Sequence, residues 1–290
     1  MRTYLLVLKS TGKDKSIENR FKLLVLDIDG TLLSKQGTLS GEDKKALARV
    51  SASGIKISLS SGRAAPACLP IIDQLSLDGY HTSFDGALIS NPKLAHEVYA
   101  EPISDRLVEE IVEFSHINGI NMDLFSSGSL YVEKETWTSE LRRQFFITEP
   151  VIVDFAEISR KERIIKGAII ARSPEEKAEV ERFYRHFASC LTFSWTRSPA
   201  CPGIDFVNIL APGVSKGKAV EVLASFLEIS LSEVMAVGDG SNDASIFSRV
   251  GMAVAMGSAS DELKGMAHHV TLDADHSGVA EAVSRILLAR

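Results

Sequence analysis

Asp27-Ile28-Asp29-Gly30-Thr31-Leu32 directly follows the apolar run Leu23–Leu26, and this stretch decides the fold class. Four consecutive apolar residues are typical of a strand that is buried on both faces of a parallel sheet. In open sheets of this kind ligands bind just outside the carboxyl ends of the strands, where Asp27 and Asp29 stand. Because the chain turns at Gly30, both carboxylates can face one site. A solvated acidic turn is the alternative, and the stretch alone does not exclude it.

Short apolar runs alternate with amphipathic helical patterns around this stretch. Ser40 and Asp43 resemble a capping box that opens a helix, and Gly54 suits its end. Further strands are predicted at Ile55–Leu59, Val234–Val237 and Met252–Met256, and a closing helix at Glu281–Leu288. This alternation predicts an α/β fold in which helices flank a parallel sheet.

The middle of the chain has a different pattern and carries no motif with evident chemistry. It predicts helices at Ser104–Phe114 and Pro174–Phe187 and strands at Leu130–Val132 and Ile164–Ala171. We therefore expect a second, α+β domain inserted between two halves of the first. The expected division is an N-terminal extension (residues 1–20), a catalytic core (21–85 and 208–290) and an inserted domain (86–207).

Three further segments of the sequence also carry polar groups that can bind a phosphate or a cation. Ser60-Ser61-Gly62-Arg63 offers a hydroxyl and backbone N–H groups that can hold phosphate oxygens. Lys216 can supply a point charge to a phosphoryl group. The run Gly238–Asp243 adds the carboxylates of Asp239 and Asp243, which suit a hard cation. Each segment alone is ordinary, but their order and their placement after predicted strands are hard to obtain by chance.

Composition narrows the class of protein. The 290 residues include 32 Lys and Arg against 38 Asp and Glu, a net charge of −6 that disfavours a nucleic-acid partner or recruitment to anionic lipid. No apolar run approaches the roughly 18 residues of a membrane span. The cysteines, Cys68, Cys190 and Cys201, are odd in number and widely spaced, which favours a reducing cytoplasm over a disulfide framework or a cysteine zinc site.

With these motifs in place, the sequence resembles the haloacid dehalogenase (HAD) superfamily, and more closely its Cof-type phosphatases with a type IIB cap. Asp27 and Asp29 match the first motif of that superfamily and Ser61 stands at the usual Thr of the second. Lys216 matches the third motif, in the form Ser-Lys-Gly. The fourth motif, G-D-x-x-N-D, is matched by Asp239, Asn242 and Asp243.

Four residues depart from the pattern of the resembled family. Asp85 stands where the family usually has Asn, and Ser258 replaces another Asn. Ala274 and Ser277 replace the Asn and Asp that commonly accompany the final motif. None of these is a principal catalytic position, but such changes can alter the support of metal-binding carboxylates.

The resemblance implies a two-step phosphoryl transfer. Asp27 would attack phosphorus to form an aspartyl-phosphate, and Asp29 would protonate the leaving alcohol and then deprotonate the hydrolytic water. Mg²⁺ would be bound by Asp27, by Asp239 and by the backbone carbonyl of Asp29. Asp243 would belong to the metal shell or orient the lysine. The phosphoryl oxygens would be held by Ser61, Gly62, Lys216 and Asn242.

The resemblance also implies that the inserted domain closes over the site and selects the leaving group. Residues 197–203, rich in Pro and Gly, form a candidate specificity loop or a plain linker, and Trp195 is a packing residue or lies near the substrate. The expected partner is a small phosphorylated metabolite, above all a sugar phosphate, bound by a monomer or small homo-oligomer. A phosphomutase of the same fold and a non-catalytic sugar-phosphate-binding regulator remain alternatives.

Overall fold

The computed structural model describes residues 20–146, 149–158, 161–196 and 201–288. Fourteen strands occur in these ranges: β1 (Leu23–Leu26), β2 (Lys56–Leu59), β3 (His81–Ser83), β4 (Leu88–Asn91), β5 (His96–Ala100), β6 (Asp123–Phe125), β7 (Leu130–Val132), β8 (Pro150–Ile152), β9 (Lys166–Ala171), β10 (Thr192–Thr196), β11 (Asp205–Leu210), β12 (Val234–Gly238), β13 (Met252–Ala255) and β14 (His269–Val270). The helices are α1 (Gly41–Ala52), α2 (Ala65–Gln74), α3 (Asp105–Asn118), α4 (Trp137–Phe146), α5 (Phe155–Ile158), α6 (Pro174–Phe187), α7 (Lys216–Phe226), α8 (Ala244–Phe247), α9 (Asp261–Met266) and α10 (Gly278–Ile286).

Five parallel strands in the order β14-β13-β12-β1-β2 form the first sheet. Side chains alternate along β1, so Leu24 and Leu26 pack in one hydrophobic cluster with residues of α1 and α10. Leu23 and Val25 face the opposite cluster, which contains residues of α7 and α8. Both faces are therefore covered, and the predicted α/β fold with a helix-flanked parallel sheet is confirmed.

Helix α1 begins as its sequence indicates. The Ser40 hydroxyl accepts a hydrogen bond from the backbone N–H of Asp43 at 2.9 Å, which satisfies a donor that the helix itself leaves unpaired. The other predicted elements of this layer also occur, with ends that differ by one to three residues. The closing helix begins at Gly278 and ends at Ile286, so its first turn lies three residues earlier than the pattern indicated.

A second sheet of six strands has the order β10-β11-β9-β6-β7-β8, and its pairs are antiparallel except for β7 with β8. Helices α3 and α6 contribute apolar residues, among them Ile111, Val180 and Phe183, to the cluster that packs on this sheet. A smaller antiparallel sheet, β3-β4-β5, follows β2 along the chain, and a single parallel bridge joins Thr82 to Ser60.

The expected domain boundaries fall at recognisable points of this architecture. The boundary at 207/208 lies within β11, which pairs with β9 and β10 in the six-stranded sheet. The boundary at 85/86 lies within the tight turn Phe84–Gly86. The division of the chain at these residues stays a prediction, and all of the expected extension except Arg20 lies outside the described residues. No helix of the described ranges is long and apolar enough to cross a membrane.

Candidate active site

Three strands of the parallel sheet deliver the predicted acidic and hydroxyl groups to one edge. Asp27 follows β1, Ser61 lies two residues beyond β2 and Asp239 follows β12. Because β1 lies between β12 and β2, its carboxyl end is flanked by the loops of both neighbours. The chain thus places residues that are far apart in sequence around a single point, as the strand-end argument predicted.

Lys216 is the first residue of α7, and only 2% of its surface is exposed. Its ammonium donates hydrogen bonds to Asp27 Oδ1 at 2.6 Å and to Asp243 Oδ1 at 2.7 Å. The other Asp243 oxygen, Oδ2, accepts from the backbone N–H groups of Asp239 at 3.1 Å and Gly240 at 3.0 Å. Asp243 is therefore fully engaged in fixing the lysine and the loop after β12.

The three carboxylates of Asp27, Asp239 and Asp243 each place an oxygen within 4.8 Å of the others. When all three are ionised, with one ammonium beside them, they carry an excess of two negative charges. One divalent cation would balance that excess, and oxygen ligands of this kind are those that Mg²⁺ prefers. The donor set of this chain fits the predicted magnesium site, although the side chain of Asp29 is not in the set.

The titration of these groups reflects their crowding. Burial raises the pKa of Asp27 well above its ordinary value, aided by repulsion from Asp243 and Asp239 and opposed by Lys216. Burial and the neighbouring Asp243 raise the pKa of Asp239 to about 7. Burial alone would lower the pKa of Lys216, but Asp243 and Asp27 reverse that effect and raise it. The lysine is therefore charged, and the carboxylates compete for cations.

Gly30 fits the turn for two reasons. Its φ of +88° lies in the left-handed region that favours glycine, and a Cβ at this position would overlap with the Asp239 carboxylate. The next residue, Thr31, donates a hydrogen bond from Oγ1 to Asp239 Oδ1 at 3.0 Å. The loop after β1 thus both leaves room for Asp239 and orients it.

Asp29 has a partner that sequence reasoning did not assign. Arg63 binds its carboxylate in a fork, with Nε 2.8 Å from Oδ2 and Nη2 2.6 Å from Oδ1. Both residues line the cavity, so the pair forms part of its wall. The motif Ser60–Arg63 could have indicated this pair, because the planar guanidinium of an arginine binds carboxylates and phosphates through two parallel N–H groups.

A cavity of about 440 Å³ opens over these groups. Six of the predicted site residues line it, namely Asp27, Asp29, Ser61, Gly62, Asp239 and Asn242. Lys216 and Asp243 are almost completely buried. Ser61 accepts a hydrogen bond on Oγ from the backbone N–H of Arg63 at 3.1 Å, which leaves its hydroxyl proton able to donate.

The opposite side of the cavity comes from the six-stranded sheet and α4. Its residues include Phe125, Arg142, Lys166, Trp195, Phe206 and Asn208. Arg142 bonds to Asp123 at 3.0 Å. Burial, together with Arg142, lowers the pKa of Lys166 to about 7 despite the opposing pull of Asp85 and Asp123. Of this set only Trp195 was singled out in the sequence, and residues 197–200 of the candidate specificity loop lie outside the described residues.

Comparison with known proteins decides the family. The family model of the haloacid dehalogenase-like hydrolases matches residues 24–283. The chain belongs to this family. It is 29% identical to phosphatase YwpJ of Bacillus subtilis over 92% of this chain and 100% of that protein. The prediction of an enzyme of the phosphoric monoester hydrolase type is confirmed.

Solved structures extend the likeness to the whole architecture. A haloacid dehalogenase-like hydrolase from Bacteroides thetaiotaomicron aligns with a TM-score of 0.80 and 26% identity over 92% of this chain and 99% of its own. The HAD subclass IIB sugar phosphatase BT4131 aligns with a TM-score of 0.74 and 25% identity over 91% of this chain and 98% of its own. The predicted fold, a HAD-like α/β core with an inserted cap, is confirmed.

Within this haloacid dehalogenase-like hydrolase, the four departures from the family pattern differ in their relation to the cavity. Ala274 and Ser277 belong to the turn before α10, where the Ser277 hydroxyl bonds to that of Ser40 at 2.9 Å, and none of Ala274, Ser277 and Ser258 lines the cavity. Asp85 is different, because its carboxylate accepts a hydrogen bond from the site residue Asn242 at 2.8 Å.

Proposed function

We propose that this protein is a Mg²⁺-dependent phosphatase that hydrolyses small phosphate esters, above all sugar phosphates, through an aspartyl-phosphate intermediate. The observation that carries the proposal is the buried Lys216–Asp27 contact of 2.6 Å at the edge of the parallel sheet, beneath a ligand-sized cavity. It joins a carboxylate nucleophile to a cation at the place where a phosphoryl group would enter.

The first step forms a bond between a carboxylate oxygen of Asp27 and phosphorus. Lys216 donates to Oδ1, so the other oxygen, Oδ2, is the one available for attack. As the new bond forms, the bond from phosphorus to the ester oxygen breaks, and that oxygen leaves with its electron pair. Lys216, Ser61, the backbone of Gly62 and Asn242 would hold the other phosphoryl oxygens.

Asp29 would move the protons of both steps. In its protonated form it gives a proton to the departing alkoxide and so releases an alcohol. It then takes a proton from a water molecule that attacks phosphorus, which breaks the bond to Asp27 and releases inorganic phosphate. Since Arg63 donates to both Asp29 oxygens in the fork, the proton that Asp29 carries must use a lone pair that these two contacts leave free.

The metal would be held by Asp27 and Asp239, with the backbone carbonyl of Asp29 as a further ligand. Asp243 supports this set by fixing Lys216 and the loop after β12. When bound, Mg²⁺ offsets the repulsion between the anionic nucleophile and the anionic phosphate. The excess of two negative charges in the carboxylate cluster supports this assignment.

The cavity supports a small polar leaving group. Its volume of about 440 Å³ lies within the range of small-molecule sites. The aromatic residues Phe125, Trp195 and Phe206 line it together with the polar groups of Lys166 and Asn208, a mixture that suits a sugar. That one structural neighbour is a sugar phosphatase agrees with this choice. The free cysteines are typical of the cytoplasm, which is the proposed compartment.

A panel of phosphate esters tests the proposal. Wild-type protein, first stripped with EDTA, should release inorganic phosphate from at least one sugar phosphate only after Mg²⁺ is added. Asp27→Asn should abolish release while leaving the melting temperature close to that of the wild type, and Asp78→Asn, at an exposed carboxylate, is the matched control.

Two results would contradict the proposal. One is turnover by Asp27→Asn at the wild-type rate, which would show that Asp27 is not the nucleophile. The other is a wild-type protein that hydrolyses no ester of the panel with Mg²⁺ present. Accumulation of an isomerised sugar phosphate in place of free phosphate would instead identify a phosphomutase.

A further inference from the structure

Asp85 occupies an unusual turn beside the cavity. It is 2% exposed, and both Phe84 and Asp85 have positive φ angles, 52° and 53°, which non-glycine residues rarely adopt. The turn is held tightly, because a Cβ at Gly86 would overlap with the backbone of Ser215 just before α7. Strained conformations of this kind are kept where the surrounding structure requires them, and they cluster at functional sites.

Both oxygens of the Asp85 carboxylate accept hydrogen bonds from amide side chains. Asn242 Nδ2 donates to Oδ1 at 2.8 Å, and Asn208 Nδ2 donates to Oδ2 at 2.7 Å. Asn242 belongs to the loop after β12, whereas Asn208 lies in β11 of the six-stranded sheet. A single buried carboxylate therefore links the two sides of the cavity.

The link continues to the loop after β2. Asn208 Oδ1 accepts a hydrogen bond from Lys166 Nζ at 3.2 Å, and the same ammonium donates to the Gly62 carbonyl at 3.0 Å. The backbone N–H of Asp85 also donates to the Ser61 carbonyl at 3.0 Å. The hydrogen bonds thus run from Asn242 to Gly62, and both of these residues face the cavity.

The donor and acceptor roles in these hydrogen bonds depend on the residue type at position 85, because both side-chain atoms there must accept. A carboxylate accepts on both oxygens, whereas an asparagine would turn one N–H₂ group toward the N–H₂ group of Asn242 or Asn208. If Asn208 rotated to relieve that conflict, its own N–H₂ group would face Lys166 Nζ, which can accept a hydrogen bond only as a neutral amine. The directions of the whole set are therefore fixed by the charge at Asp85.

We propose that Asp85 is a positioning residue, which holds Asn242 and, through Asn208, Lys166 against the phosphoryl end of the cavity. The inference rests on the proposed function, since it assigns Asn242 and Lys166 to substrate binding. It also explains why this chain has Asp at a position where the resembled family usually has Asn: Asn208 supplies the amide that position 85 lacks.

The charge of Asp85 also supports the lysine. The groups that act on Lys166 are Arg142, which lowers its pKa, and the carboxylates of Asp85 and Asp123, which raise it. Cys68 is the remaining titratable neighbour, and burial raises the pKa of its thiol to about 12. Loss of the Asp85 charge should therefore lower the pKa of Lys166 below about 7 and leave its amine neutral at neutral pH.

An exchange of side chains tests the proposal. The variants are Asp85→Asn, Asn208→Asp and the double variant that carries both changes, with Asp78→Asn as the control. The exchange is isosteric and keeps the total charge. In the double variant the amide introduced at position 85 accepts from Asn242 and donates to the carboxylate introduced at position 208. That carboxylate in turn accepts from Lys166, so each bond of the wild type has a counterpart.

The readouts are KM and kcat for the best ester of the panel, the inhibition constant of inorganic phosphate, and the melting temperature. Asp85→Asn should raise KM and the phosphate inhibition constant about tenfold or more, as expected for one lost hydrogen bond to a charged group. It should also move the alkaline limb of kcat/KM to lower pH. Asn208→Asp should raise both constants similarly, because it sets two carboxylates side by side. The double variant should return to within about threefold of the wild type.

Several outcomes would overturn the proposal. These are an Asp85→Asn variant with unchanged KM and phosphate inhibition, and a double variant that is no better than Asp85→Asn. A double variant that does not fold would also count against it, because the exchange preserves every bond. If the wild type hydrolyses no ester, the proposed function fails separately. Crystal structures of Asp85→Asn then decide the positioning role, which requires that the Asn242 side chain turn away from its wild-type direction.

Discussion

Magnesium should stabilise the folded protein much more at pH 8 than at pH 5, and the difference should depend on Asp239. Burial and repulsion from Asp243 raise the pKa of Asp239 to about 7, against about 3.9 in an unfolded chain. Between these two values the metal-free folded state binds more protons than the unfolded state. The free energy of unfolding therefore falls as the pH rises from about 4 to about 7.

The size of the effect follows from the two pKa values. A difference of about three pK units corresponds to about 4 kcal/mol of stability lost over this pH range. Asp239 keeps some contact with solvent, so screening reduces the expected loss to about 2–4 kcal/mol. A divalent cation among the carboxylates replaces the proton, and its stabilising effect should appear over the same range in which the proton is lost.

The assay is urea unfolding from pH 5 to pH 8, in EDTA and in excess Mg²⁺, for the wild type and for Asp239→Asn. In EDTA the wild type should lose stability with rising pH, while Asp239→Asn should lose much less. Mg²⁺ should restore the wild type at pH 8 and have little effect on the variant. Identical pH slopes for the two proteins in EDTA, or equal stabilisation of both by Mg²⁺, would refute the reasoning.

Three further predictions use the same geometry. Lys216→Met should lower the free energy of unfolding in urea by about 3–5 kcal/mol, because it leaves two buried carboxylates without their shared cation; a loss below about 1 kcal/mol would contradict the pairing. Gly30→Ala should weaken Mg²⁺ binding in calorimetry by displacing Asp239, whereas Gly37→Ala, which also has a positive φ but open space around it, should not. Trp195→Ala should raise KM for esters with large leaving groups and leave Mg²⁺ affinity unchanged, since Trp195 lines the cavity from β10 of the six-stranded sheet, whereas Asp27 and Asp239 follow strands of the parallel sheet; an equal effect on all esters would count against its place beside the leaving group.

The parallel sheet was predictable because its strands are buried on both faces. Runs such as Leu23–Leu26 and Val234–Gly238 are continuously buried, and a turn with polar residues follows each of them. The antiparallel strands β3, β4 and β5 were missed. They are three to five residues long and rich in polar residues, so their pairing depends on contacts that a local pattern does not record.

The clustering of the candidate site residues was predictable for a related reason. Asp27, Ser61 and Asp239 all follow strands, and the geometry of a parallel sheet brings strand ends together without any knowledge of side-chain contacts. The fork between Asp29 and Arg63 could not be found in this way, because it depends on how two loops approach each other. Sequence separation of 34 residues gives no periodic signal.

Lys166 and Asn208 were missed for a deeper reason, which bears on how the site functions. They lie in strands of a separate sheet, and in the sequence each is a polar residue next to the apolar residues of its strand. Only the packing of that sheet against the loop after β2 brings Lys166 to the Gly62 carbonyl. Since the same ammonium contacts the loop after β2 and lines the cavity, substitutions in the inserted segment should change phosphate affinity together with the choice of leaving group.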